Sequence, residues 1–237
     1  MTAPPSVGTA GEAALLARIR AGLPAPPACV PVGVGDDAAV VAGERNTASV
    51  LTADAIVEGV HFDRGLVSPA DVGHRALAVN LSDLAAMGAT PRVALLSMGL
   101  PPDLPLDEFD AMVDGLLALA AAHRVDLVGG NLSRTPGPLF LRAPARAPSP
   151  PRRRPPPLDV TAVGAVRPRR VLLRSGAREG DALFVSGRLG AAAAGLAWLR
   201  RGDAPDDDVE VAEAVARYRR PEPRVRLGVL VGRSRSA

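Results

Sequence analysis

The chain contains no lysine: all 28 basic residues among its 237 are arginine. A Walker-type phosphate loop needs a lysine to reach the β- and γ-phosphates, so that route to nucleotide binding is excluded. A single cysteine, Cys29, excludes an internal disulfide and fits a reducing compartment. Aromatic residues make up only 3% of the chain, and Ala, Gly, Pro and Arg carry the composition instead. No apolar run approaches the roughly 20 residues of a membrane-spanning helix, and no signal-peptide pattern opens the chain, so the expectation is a cytoplasmic protein with no membrane partner.

Apolar residues at 47% and charged residues at 22% give a globular balance. The net charge of +3 and pI near 10.2 suggest a nucleic-acid partner, but the excess has a local source. Arg142, Arg146, Arg152, Arg153 and Arg154 lie in one acid-free stretch, and the rest of the chain carries 23 basic and 25 acidic residues. Basicity that belongs to a segment is not a binding face, and no nucleic-acid partner is expected.

In order, residues 1–10 read as a loose N-terminus, and helical spacing over Gly11–Ala21 predicts a short helix. Ala48–Val57 reads as a buried strand. Ser68–Pro69 caps a helix running to Met87. Arg92–Leu100 predicts a strand, Leu106–His123 a helix, Val125–Val128 a short strand and Leu139–Leu141 the start of another. Arg142–Pro157 has seven prolines in sixteen residues and predicts an extended solvated insertion or interdomain linker. Strand pattern resumes at Leu158, Ala182–Ser186 predicts a further strand, and helices follow over Leu189–Arg201 and Asp206–Tyr218. The expected fold class is α/β (α+β). A mixed-sheet N-terminal domain spans residues 11–141, and an incomplete α+β C-terminal domain spans 158–237.

Three apolar runs each deliver a carboxylate to a small-residue turn: Val34-Gly35-Asp36-Asp37-Ala38-Ala39, Thr52-Ala53-Asp54 and Asn80-Leu81-Ser82-Asp83. Carboxylates spaced this way do not form one helical face. If the fold gathers them, a cation is needed to offset the charge, which points to magnesium and phosphate chemistry. Each residue has a plainer reading. Asp36 and Asp37 suit an ordinary turn beside Gly35, Asp54 a structural hydrogen bond, and Asp83 a solvated helix face. His61 suits a half-buried histidine, His74 and His123 the surface, and Arg174 is one of 28. Asp206–Asp208 read as a solvated helix start.

Taken together, GVGDDAAVV, TADAIVEGVHF, GHRALAVNLSDLAAMGATP, VGGNLSR, LLRSGAREGDALFVSGRLG and RYRRPEPRVRLG occur in the order found in thiamine-monophosphate kinases of the aminoimidazole-ribonucleotide-synthetase-like superfamily. The resemblance implies ATP-dependent phosphorylation of thiamine monophosphate to thiamine diphosphate. It also implies several Mg²⁺ ions and a homodimer whose N-terminal strands share a barrel. By motif, Asp36, Asp54 and Asp83 resemble the catalytic carboxylates, and Asp36, Thr52, Ala53 (through its carbonyl), Asp54, Asp83 and Asn131 resemble metal ligands. His61 resembles the substrate contact, and Gly130, Asn131 and Arg174 resemble the ATP contacts.

Three departures accompany the resemblance. Asn131 stands where the family often has Asp, the Pro/Arg segment interrupts a strand, and a later acidic motif of the form I-D-x-S-D-G does not occur. The closing GRSRSA reads as neither helix nor strand. C-terminal truncation is therefore expected. The alternatives to a kinase are a non-catalytic dimerising or nucleotide-binding fragment, and a superfamily enzyme with another substrate.

Overall fold

The computed structural model describes residues 5–35, 38–135, 158–175, 177–202 and 208–234. Its elements in chain order are α1 (Val7–Ala10), α2 (Glu12–Gly22), β1 (Ala48–Ile56), α3 (Pro69–Ala86), β2 (Thr90–Leu100), α4 (Leu106–His123), β3 (Asp126–Arg134), β4 (Leu158–Val166), α5 (Ala191–Arg201), α6 (Val209–Arg219) and α7 (Val225–Ser234). The four strands form one mixed sheet in the order β1-β4-β2-β3. β4 pairs antiparallel with both β1 and β2, whereas β3 runs parallel to β2. The expected mixed α+β fold class is thus observed.

One sheet face is buried. Val160, Ala162, Leu96 and Met98 point into a core shared with Ala76, Leu77, Leu81 and Leu84 of α3 and with Phe109 and Leu116 of α4. Ser68 caps α3 as its pattern predicts: its Oγ accepts from the Asp71 N–H at 3.2 Å while Asp71 Oδ2 accepts from the Ser68 N–H at 3.2 Å. Two glycines then set how closely α3 and α4 lie. A Cβ on Gly73 would stand 1.8 Å from the Met112 carbonyl oxygen, and one on Gly115 would stand 2.0 Å from that of Ala70. Any side chain at either position forces the two helices apart.

Several expectations change. β4, expected to open the second domain, is an inner strand of the first sheet, hydrogen bonded on both sides. β1 is an edge strand with Leu51, Ala53, Asp54 and Ala55 exposed, not a buried one. Ala182–Ser186 is not a strand. Leu183 and Phe184 are 96% and 90% exposed, and among the described residues no neighbouring strand accepts their hydrogen bonds. Gly232, Arg233 and Ser234 of the closing sequence belong to α7, which packs on α3. Leu139–Leu141 and Arg142–Pro157 lie outside the described residues. No described helix is long and apolar enough to cross a membrane.

The RYRRPEP sequence forms the end of α6 and the turn after it, and clasps the N-terminal half of α3. Arg220 Nε donates to Asp71 Oδ1 at 2.5 Å, Arg219 Nε donates to the Leu66 carbonyl at 2.9 Å, and His74 Nε2 lies 3.0 Å from the Pro221 carbonyl. His74 and His123 are therefore partly buried, contrary to their expected surface placement, and burial lowers the pKa of both. Burial alone would raise the Asp71 carboxyl, but hydrogen bonds from Arg220 and Ser68 outweigh it and hold Asp71 below the ordinary carboxylate range.

Both kinds of shift have the same sign in stability. With pKa values depressed in the folded state, the unfolded chain takes up protons first as pH falls. The histidine contribution is complete above about pH 6.5 and is lost below it, and the Asp71 contribution follows below about pH 4. Thermal stability is therefore expected to fall between pH 7 and pH 5. In thermal melts across that range, His74→Gln should flatten the slope, leaving the part due to His123.

Candidate active site at the edge of the sheet

β1 has β4 on one side and, among the described residues, no strand on the other, where the C-terminal half of α3 runs beside it. In a strand, successive residues turn their main-chain groups to opposite sides. Asp54 directs its N–H and C=O away from β4, and Asn80 of α3 meets them there. The Asp54 N–H donates to Asn80 Oδ1 at 3.1 Å, and Asn80 Nδ2 lies 3.5 Å from the Asp54 carbonyl and donates to the Ala76 carbonyl at 3.0 Å. Asn80 is completely buried. Its side-chain amide acts as a one-residue extension of the sheet and fixes the strand to the helix.

Asp83 lies one helical turn further along α3 and accepts from the Thr52 hydroxyl at 2.8 Å. Thr52, Asp54 and Asp83 therefore converge, as their motifs suggest. Asp54 has its pKa raised, first by partial dehydration against the helix and then by the negative charge of Asp83, with Asp159 adding to the rise and His61 opposing it. Neither Asp54 nor Asp83 forms an ion pair with a described arginine. Two carboxylates and a hydroxyl at an edge, with no described arginine between them, suit a hydrated divalent cation. Among the described residues, no group of three or more His, Cys, Asp or Glu is close enough to hold one alone.

His61 stands beside this group in the Val57–Phe62 turn. Its Nδ1 accepts from the Val57 N–H at 2.9 Å, so the proton of the neutral ring is assigned to Nε2, which is left to donate. Ala53 differs from its expected role. The alternation of the ladder turns its carbonyl towards β4, where Ala53 pairs with Thr161, and away from Asp83.

Gly130 and Asn131 lie on β3, at the opposite edge of the sheet. The rows Asp54–Val160–Leu96–Gly130 and Ala55–Asp159–Ser97–Asn131 cross all four strands, which puts Asn131 three strand spacings from β1, about 14 Å along the sheet. Asn131 donates through Nδ2 to Ser133 Oγ at 2.8 Å. Gly130, Asn131 and Asp159 line a cavity of about 850 Å³ on the open sheet face, together with Gly35 and Ala38 from the first acidic turn. Asp36 and Asp37 lie outside the described residues. Gly130 is required by packing as well: at φ 156° its absent Cβ would stand 1.8 Å from the Leu96 carbonyl oxygen. Arg174 is exposed and does not line this cavity.

The expected ligands thus form two groups. Thr52, Asp54, Asp83 and His61 lie at the β1 edge, and Gly130 and Asn131, with the residues flanking Asp36, lie towards the β3 edge. The functional residue that motif reading passed over is Asn80. Its signal was available: a polar side chain set among Ala76, Leu77, Leu81 and Leu84, on the face that α3 buries.

The profile of AIR synthase related protein, N-terminal domain, matches residues 35–166. The thiamine-monophosphate kinase of Bacillus subtilis (strain 168) is 37% identical over 202 residues, covering 85% of this chain and 57% of that protein. A crystal structure of thiamine-monophosphate kinase from Stenotrophomonas maltophilia K279a superposes with a TM-score of 0.75 at 36% identity, covering 92% of this chain and 64% of that one. A structure of AaThiL complexed with AMPPCP and TMP superposes at 0.67 with 30% identity, covering 98% of this chain and 65% of that one. The chain therefore spans about three fifths of the length of the proteins it matches. On this evidence, with β1 to β4 all inside the matched region, the chain belongs to the AIR synthase related family.

Proposed function

We propose that this chain carries the ATP- and thiamine-monophosphate-binding machinery of a thiamine-monophosphate kinase and transfers the γ-phosphoryl group of ATP to the substrate phosphate, giving thiamine diphosphate. The observation that carries the reading is the Asp54–Asp83 pair at the β1 edge, held by Asn80 and Thr52 and without an arginine ion pair among the described residues. Support comes also from AaThiL, complexed with AMPPCP and TMP in a structure that aligns with 98% of this chain.

The nucleophile in such a transfer is a phosphate oxygen, already ionised at neutral pH because the second phosphate pKa is about 6. No general base is needed. The task is to bring two anions together in line. Asp54 and Asp83 would hold Mg²⁺, which supplies charge neutralisation between the phosphate groups when bound. Asn80 fixes Asp54 through its main chain, and Thr52 orients the Asp83 carboxylate. His61 offers a neutral Nε2–H to the substrate phosphate. Gly129, Gly130 and Asn131 line the cavity on the open face where the nucleotide would lie, and Asn131 supplies a neutral oxygen where a carboxylate would bind metal more strongly.

A homodimer belongs to the same reading. The open sheet face and its flanks expose Leu51 and Val60 at 68% each, beside a free β1 edge. A second copy would cover this apolar area, and a two-fold arrangement would let the β1 edge of one subunit approach the β3 side of the other.

The direct test is production of thiamine diphosphate by the purified chain from ATP, Mg²⁺ and thiamine monophosphate. Turnover is expected to vanish with EDTA and to fall at least about 100-fold in Asp83→Asn. No turnover alongside a turning-over full-length relative would count against the reading. A second pair of variants separates charge from scaffold. Asp54 has a raised pKa, so the fold disfavours its ionised form, and this cost is present above about pH 4. Asp54→Asn should raise the melting temperature of the metal-free protein at pH 7 while weakening Mg²⁺ binding. Asn80→Ala should weaken Mg²⁺ binding too, but lower stability by about 1–3 kcal/mol, because the Asp54 N–H loses its partner. Calorimetry with and without Mg²⁺ checks both.

A further inference from the structure

We infer that Arg75 is a positioning residue whose guanidinium fixes the His61 turn to α3 and so sets where His61 presents its Nε2–H. The inference rests on the reading of His61 as the substrate contact. Arg75 lies in the second turn of α3, half-buried. One Nη donates to the His61 carbonyl at 3.2 Å and the other to the Tyr218 carbonyl at 2.5 Å. The guanidinium also lies 4.6 Å from the centroid of the Tyr218 ring, and Tyr218 is 8% exposed. A planar fork under an aromatic ring serves two carbonyls in one fixed geometry, which a lysine ammonium cannot reproduce.

Among the described residues, the other main-chain bonds of the turn are internal, and Glu58 adds only a bond from the Arg64 N–H just beyond it. The Gly59 N–H donates to the Phe62 carbonyl at 2.7 Å, the His61 N–H to the Val57 carbonyl at 2.8 Å, and the Val57 N–H to His61 Nδ1 at 2.9 Å. Phe62 plugs the far end of the turn into the core. These contacts shape the turn but do not orient it on the helix. Arg75 does so from the same helix that carries Asn80 and Asp83. The spacing between the imidazole and Asp83 is thereby set along one helix. The Tyr218 contact extends the restraint to the RYRRPEP sequence, giving that sequence a role in the site without touching substrate.

The test compares crystal structures and thiamine monophosphate titrations of the wild-type full chain and Arg75→Met, which keeps the aliphatic stem and removes the fork. In R75M the intra-turn bond from Val57 to His61 Nδ1 should persist, while the His61 imidazole shifts relative to Asp83 and affinity for thiamine monophosphate falls about tenfold, with AMPPCP affinity unchanged. His61 in its wild-type position relative to Asp83 in folded R75M would overturn the inference. A displaced His61 with unchanged thiamine monophosphate affinity would uphold the positioning role and overturn the substrate reading of His61. Arg75→Lys covers the case in which R75M does not fold: incomplete recovery of both readouts supports the inference, whereas full recovery would overturn the claim that the two-carbonyl fork matters.

Discussion

The buried amide of Asn80 is the contact on which the geometry of this edge depends. α3 is placed by Gly73 and Gly115, which bring it against α4 at main-chain distance, and Asn80 then transmits that placement to β1. Two carboxylates a few ångströms apart near a surface repel by about 1–4 kcal/mol, depending on how much water screens them. Left to themselves, they would turn apart into solvent. Asn80 fixes the main chain from which the Asp54 side chain projects, and Thr52 holds Asp83 by donating to its carboxylate. The result is a negative edge supported by the packing of a helix pair and a hydrogen-bonded amide.

The sheet distributes the remaining groups in a way that chain order does not reveal. β1 and β3 are the two edges, with β4 and β2 between them. Asp54 and Asn131, which read as members of one ligand set, are therefore on opposite sides of the same sheet. Asp159, at the register position between Ala55 and Ser97, places a further carboxylate on the open face between the two groups. A ligand touching both groups has to cross that face, or the two groups have to belong to different subunits.

Much of this was legible where the determinants are local. Ser68, Pro69 and Asp71 announce the start of α3, and its apolar spacing survives in the core residues Leu77, Leu81 and Leu84. β1, β2 and α4 were equally plain. The place of β4 was not, because strand order is decided by pairing between distant segments, and residues 142–157 intervene just before it. Asp54 reads as a charge in a buried strand, whereas it lies on an exposed edge: the apolar composition of β1 does not distinguish a core strand from an edge strand. Leu183, Phe184 and Val185 have strand composition but no partner strand among the described residues. Asn80 was visible as text and uninformative as a motif, since its role exists only once α3 and β1 meet.

The most direct test of the central claim is a crystal structure of the chain grown with Mn²⁺ and AMPPCP, with data collected at the manganese edge. The account predicts an anomalous peak within coordination distance of the Asp54 and Asp83 carboxylates, with the Asn80–Asp54 hydrogen bond intact. Manganese found elsewhere on the open sheet face, with Asp54 and Asp83 turned apart into solvent, would contradict it.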